Sequence, residues 1–249
     1  MSKFLCSLWV LLALPVSGAI AQAAPDTATN VLIGERLASV LRAGRGVVAA
    51  NQDLINDPAR GDKGLSSEAF LAEMTALYQS RWGEPPLAQM AGNADLEVIK
   101  VQLAAMKTVI DESQGTINAP GVGFKGFIPA VFARLVNERF AENMNAAAVV
   151  KVTAPLELVR NRKARPDDWE TKIIDENFRN AAWEKGAPYF EEVTANGETV
   201  FRMIFPEYYT ESCLSCHGGP AGEMDVTGFP KEGGALGELA GAISIILRQ

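Results

Sequence analysis

Tyr189-Phe190-Glu191-Glu192-Val193-Thr194-Ala195-Asn196-Gly197-Glu198-Thr199-Val200-Phe201-Arg202-Met203-Ile204-Phe205 is the stretch on which the architecture turns. Two runs rich in aromatic and β-branched residues, Tyr189 to Thr194 and Glu198 to Phe205, flank Asn196-Gly197. Both turn positions tolerate positive φ, which a two-residue hairpin loop needs, so the stretch predicts an antiparallel hairpin. Ala147 to Thr153 and Ala240 to Leu247 are two more short strand candidates. Together they predict a small antiparallel sheet in the second half of the chain.

Upstream of the sheet the periodicity changes. Ile33, Leu37, Val40, Leu41, Gly44, Val47 and Val48 recur at helical spacing between Asn30 and Asn51, with Glu35, Arg36, Ser39, Arg42 and Arg45 on the other side. Asp57 to Gly64 reads as a loop from its turn residues. A second helix is predicted from about Ser67 to the Gly83-Glu84-Pro85-Pro86 break, since proline cannot continue it. A third spans about Asp95 to Ser113, Gly115 to Gly126 reads as irregular, and a fourth helix runs from about Ile128 to Asn143. Asp167-Asp168-Trp169-Glu170 has the form of a capping box opening a helix that carries Ile173, Ile174 and Phe178. A helical front followed by an antiparallel sheet is an α+β arrangement, expected here as one domain over residues 24–249.

Composition narrows the function classes. Of the 249 residues, 48% are hydrophobic and 21% charged, which supports a sizeable core and excludes overall disorder. A net charge of −7 argues against nucleic-acid binding, which needs a basic face. Three cysteines cannot staple a chain of this length. The first 23 residues read as a secretory leader: Lys3 supplies a positive start, Phe4 to Val16 an apolar run, and Ala19-Ile20-Ala21 or Ala21-Gln22-Ala23 a cleavage site. The run is shorter than the roughly 20 apolar residues a membrane span requires. The expectation is an exported, periplasmic protein with no membrane span after cleavage.

Removal of the leader takes Cys6 with it and leaves Cys213 and Cys216, which flank Leu214-Ser215 and precede His217, the single histidine of the chain. This Cys-x-x-Cys-His unit has a specific chemical use. Two thiols at this spacing form thioethers to the vinyl groups of one haem, and the adjoining imidazole binds its iron. A structural zinc site or an iron–sulfur cluster normally takes four such ligands, and the processed chain holds three. A dithiol of the thiol–disulfide oxidoreductase type is the alternative. That chemistry favours a cysteine at a helix N-terminus, whereas Gly218-Gly219-Pro220 is expected to break a helix at once.

Four segments together give a family resemblance. Gly123-Phe124-Lys125-Gly126-Phe127-Ile128-Pro129 matches a G-F-K-G-F-x-P pattern, and Arg160 to Glu170 resembles R-N-P-x-N-x-P-D-x-W-E without its first proline and second asparagine. Cys213 to Gly218 matches C-L-x-C-H-G, and Gly241-Ala242-Ile243-Ser244 matches a closing G-A-I-S strand. Residues 30 to 247 resemble the haem c-binding PAS-like family, found as exported single-domain proteins and as sensor modules. The resemblance implies a PAS-like antiparallel sheet with long N-terminal helices enclosing one covalent haem c, attached at Cys213 and Cys216 with His217 as the proximal ligand. The cysteine that some members supply as distal ligand has no counterpart in the processed chain.

The opposite face of the iron is then open to methionine, lysine, tyrosine, water or nothing. Met74, Met90, Met106, Met144, Met203 and Met224 are the thioethers available, and Lys125 is a rarer candidate. A Met/His pair suits electron transfer, and an open position admits a small gaseous ligand. Arg160, Arg162 and Arg165 are candidates for pairing with haem propionates. Phe124, Phe127, Trp169, Tyr208 and Tyr209 are candidates for the pocket wall. With its histidine assigned to iron the chain offers no acid–base pair, so a non-enzymatic cytochrome serving electron transfer or redox sensing through a partner protein is expected.

Overall fold

A computed structural model describes residues 26–90, 96–195 and 197–248. The leader with both its cleavage sites, the predicted helix start at Asp95 and the turn residue Asn196 lie outside these. Helix α1, Thr27–Ala50, begins where the Asp26 carboxylate accepts the Thr29 N–H at 2.8 Å. Its buried side carries Ile33, Leu37, Val40, Leu41, Val47 and Val48, the stripe expected from spacing. A short helix α2, Gln52–Asn56, precedes the loop. Helix α3, Ser67–Trp82, is capped by Ser66 and stops at Gly83, whose φ of +80° is the left-handed conformation that glycine adopts without a Cβ clash.

Helix α4, Glu97–Ile117, outruns its sequence estimate by four residues. Gly115 suggested a loop, but Ile117 is fully buried and the Gln114 amide donates to the Leu65 carbonyl at 3.0 Å, so packing carries the helix past the glycine. Helix α5, Pro129–Asn143, opens with proline at its first position, where no N–H is required. Strand β1, Ala148–Thr153, follows. Asp167 and Glu170 then form the predicted capping box of helix α6, Asp168–Ile173, which continues as a π-helical turn, Ile174–Phe178.

Strands β2, Tyr189–Ala195, and β3, Glu198–Tyr208, form the hairpin; helix α7, Glu211–His217, follows; and β4, Leu239–Arg248, closes the chain. The sheet order is β1-β4-β3-β2, antiparallel throughout, as the α+β reading requires. Register decides the faces. Val150, Ile245 and Met203 lie side by side, as do Val152, Ile243 and Phe205, and these rows join the helical layer in one core. The alternate row, with Ile204 and Ala242, packs under Ile173, Ile174 and Phe178. Each side chain of this size taken out of water contributes about 1.5–3 kcal/mol. The sheet is therefore covered on both faces, and the 209–238 connection between neighbouring strands β3 and β4 emerges at its end. No helix among the described residues is long and apolar enough to cross a membrane.

Candidate functional site

Helix α7 carries the whole Cys-x-x-Cys-His unit in its seven residues. The chain must turn away directly after His217. A Cβ at Gly218 would lie 2.6 Å from the Leu214 carbonyl oxygen, so only glycine lets the backbone pass this close. The helix end thus falls where the glycines predicted it. Cys213 sits in the first turn of this helix, the position that dithiol chemistry favours. Both thiols are free and half-buried, with the Thr210 hydroxyl 3.2 Å from Cys213 Sγ and the Ser215 hydroxyl 3.8 Å from Cys216 Sγ.

The imidazole is held from one side. His217 Nδ1 donates to Glu232 Oε2 at 2.9 Å. Burial disfavours the Glu232 carboxylate, but hydrogen bonds from Arg160 and His217 outweigh that and hold its pKa below the usual range. An ionised carboxylate only accepts, which places a proton on Nδ1 and makes Nε2 the nitrogen that could bind a metal. The Tyr209 ring lies 5.6 Å from the imidazole, tilted by 32°. Burial, and then the Glu232 charge, push its phenol up to about 12, so it stays protonated.

Arg160 organises the loop behind the histidine. It donates to Glu232 at 2.6 and 2.9 Å, to Asp225 at 2.6 Å and to the Cys216 carbonyl at 2.8 Å. Asp225 has a fully enclosed carboxylate. Burial opposes its ionisation, yet the Thr227 hydroxyl, Arg160 and the N–H groups of Phe229 and Thr227 hold it far below the ordinary value. Arg160 therefore faces two carboxylates of its own chain, Glu232 and Asp225. Arg162 and Arg165 are exposed.

The pocket-wall candidates divide. Tyr209 adjoins the histidine. Phe127 packs in the helical core against Phe132, Trp169 lies under Arg202, Tyr208 under Lys185, and Phe124 is exposed. Met74 and Met106 are fully buried in the core, and Met203 packs its sulfur against Gly34 on α1; Met90 is nearly buried and Met144 half-buried. Met224 is 59% exposed in the loop after the motif. Lys125 Nζ bonds main-chain oxygens of Ile55 and Asp57, which engages it there and not at the histidine. Glu232 and Asp225 were missed because nothing in a glycine-rich loop marks an acidic residue as a partner of a distant histidine or arginine.

The arrangement fits a covalently held haem. Two free thiols and an imidazole with one committed nitrogen share one short helix. Met224, Val226, Phe229 and Leu236 in the following loop are exposed, apolar surface of the kind a porphyrin covers. No curated protein and no solved structure matches the chain. The sequence model of the Tll0287-like family, a family of haem c-binding PAS-like domains, matches residues 86–248, whereas resemblance was expected from about residue 30, so α1 to α3 precede the matched span. Because that span takes in α4 through β4 and every residue assembled around His217, the chain belongs to the Tll0287-like family.

Proposed function

We propose that this protein is an exported single-haem c-type cytochrome, with thioethers at Cys213 and Cys216 and His217 as the proximal iron ligand. The observation that carries this is the Nδ1–H bond to Glu232, which fixes the tautomer a metal-bound histidine needs next to two unpaired thiols. The haem would supply one-electron redox chemistry; the chain orients it and tunes it. Glu232 raises the basicity of the ligand, Arg160 holds Glu232 in place, and the Tyr209 ring packs beside the imidazole. With Met74, Met90, Met106 and Met203 in the core and Met144 packed against it, Met224 is the remaining thioether for the sixth position, beside lysine, tyrosine, water or a small exogenous ligand. Electron transfer and redox or gas sensing, relayed to a partner protein, are the corresponding roles.

The position of Cys213 in the first turn of α7 favours a second reading, a periplasmic thiol–disulfide oxidoreductase. One preparation separates the two. Protein from a host competent in cytochrome maturation is expected to be coloured, with sharp reduced-haem absorption bands, and heavier than its polypeptide by one haem. Cys213→Ser and Cys216→Ser should each lose one thioether, and the double variant should lose the colour on denaturation. A colourless chain with two titratable thiols overturns the haem reading. The spin state of the oxidised protein then assigns the sixth position: low-spin with a sulfur-to-iron band for Met224, high-spin for an open site.

A further inference from the structure

A cleft of about 390 Å³ opens between α1, the end of α3 and the turn that follows it, on elements that carry none of the residues around His217. The family match begins at residue 86, so most of the lining precedes the matched span. The local sequence builds the cleft. Leu32, Glu35 and Ser39 follow one another at three and four positions on one face of α1, and Tyr78 and Trp82 stand four apart on one face of α3. Gly83 then turns the chain, and Arg36 pins the turn back onto α1, donating to Glu84 at 2.6 Å and to the Pro86 carbonyl at 3.1 Å. Tyr78 and Met90 are nearly buried and form the floor, whereas Trp82 and Glu35 are exposed at the rim.

The charges inside are unequal. Arg36 is paired with Glu84, which leaves Glu35 as an acidic group with no hydrogen bond or ion pair among the described residues. Burial raises the proton affinity of the Tyr78 phenol, so it adds no charge, and the other lining residues are uncharged. The cleft therefore carries a net negative charge. An anion finds its guanidinium already taken. A hard metal ion needs several oxygen ligands, and one free carboxylate does not supply them.

The walls favour a different cation. The Tyr78 and Trp82 rings lie 4.6 Å apart, tilted by 33°. Tyr78 already attracts Arg36, 5.9 Å from its ring centroid, while no cation among the described residues lies over Trp82. An aromatic face attracts a cation most when the ion gives up its water easily, as an alkylated ammonium does. We propose that the cleft binds an alkylated organic ammonium ion, with Glu35 as its counter-charge, Trp82 as its aromatic platform, and Leu32 and Met90 against its alkyl groups. The volume is that of a site for a small molecule. Binding is non-covalent and independent of the haem.

The test is equilibrium dialysis of isotope-labelled choline against the full chain. Binding should saturate, with half-saturation at about 1 mM or below. The carbon isostere of choline, in which an uncharged quaternary carbon replaces the nitrogen, should displace the label about tenfold less effectively. Glu35→Gln and Trp82→Leu alter exposed positions, and each should weaken choline binding by about tenfold with the thermal midpoint unchanged. No saturation by about 10 mM choline overturns the proposal. So does undiminished binding in either folded variant. The comparison of choline with its isostere needs no substitution, and equal displacement by the two overturns the proposal by itself.

Discussion

At the scale of single residues, His217 takes its character from Glu232 and Glu232 takes its character from Arg160. Replacing Glu232 by Gln keeps the shape and removes the charge opposite Nδ1, so the reduction potential of the haem proposed at Cys213 and Cys216 should rise, as read by voltammetry. An unchanged potential would show that the contact plays no part in tuning. Arg160→Met removes the cation beside a fully enclosed Asp225. Breaking such a buried pair costs about 3–5 kcal/mol, since the remaining carboxylate is left uncompensated. Urea unfolding should show that loss, while a variant within 1 kcal/mol of the parent would mean that the loop stands without its arginine. In the sequence the Cys-x-x-Cys-His motif was legible because its spacing is local. Their partners were not, because Arg160 and Glu232 meet only when the chain folds back over 72 residues.

Between residue and fold stand the elements. The loop after α7 is fitted to the site at Gly234, whose N–H donates to the His217 carbonyl at 2.8 Å. A Cβ there would come 2.3 Å from the Tyr209 ring, which lies against the imidazole. Gly234→Ala should displace that ring, destabilise the protein by about 1–3 kcal/mol through overpacking and alter the haem spectrum. A spectrum and a melting curve identical to the parent's would refute the fit. Asp167 closes the capping box of α6 and also accepts from Arg202 at 2.7 Å, so Asp167→Ala should cost about 1–2 kcal/mol. Caps, proline starts and glycine stops were readable because they act within one turn of chain. The extra turn of α4 was not, since the burial of Ile117 depends on its tertiary surroundings.

For the whole molecule, helices and sheet share one apolar core, in which Phe132 and Phe140 meet Phe201 and Met203. A single cooperative unfolding transition is expected, and Phe132→Ala should lower its free energy by about 3–5 kcal/mol. Acid should act through carboxylates whose folded proton affinity is depressed, among them Asp225, Asp167 and Glu138. Their stabilisation is complete above the ordinary carboxylate range of about 4 and is lost as pH falls through and below it. Thermal midpoints should therefore hold from neutral pH to about 5 and drop below about 4. A flat profile to pH 2 would show that these groups are unperturbed.

The sequence by itself determined the helical front, the antiparallel hairpin and the Cys-x-x-Cys-His unit, since periodicity, turn chemistry and ligand spacing are properties of neighbouring residues. Tertiary structure alone decided that Glu232 fixes the imidazole, that Arg160 serves two internal carboxylates, and that Arg36 pairs with Glu84. Those pairings rest on burial and electrostatics between segments far apart in the chain, and no local pattern encodes which of many charged side chains will meet.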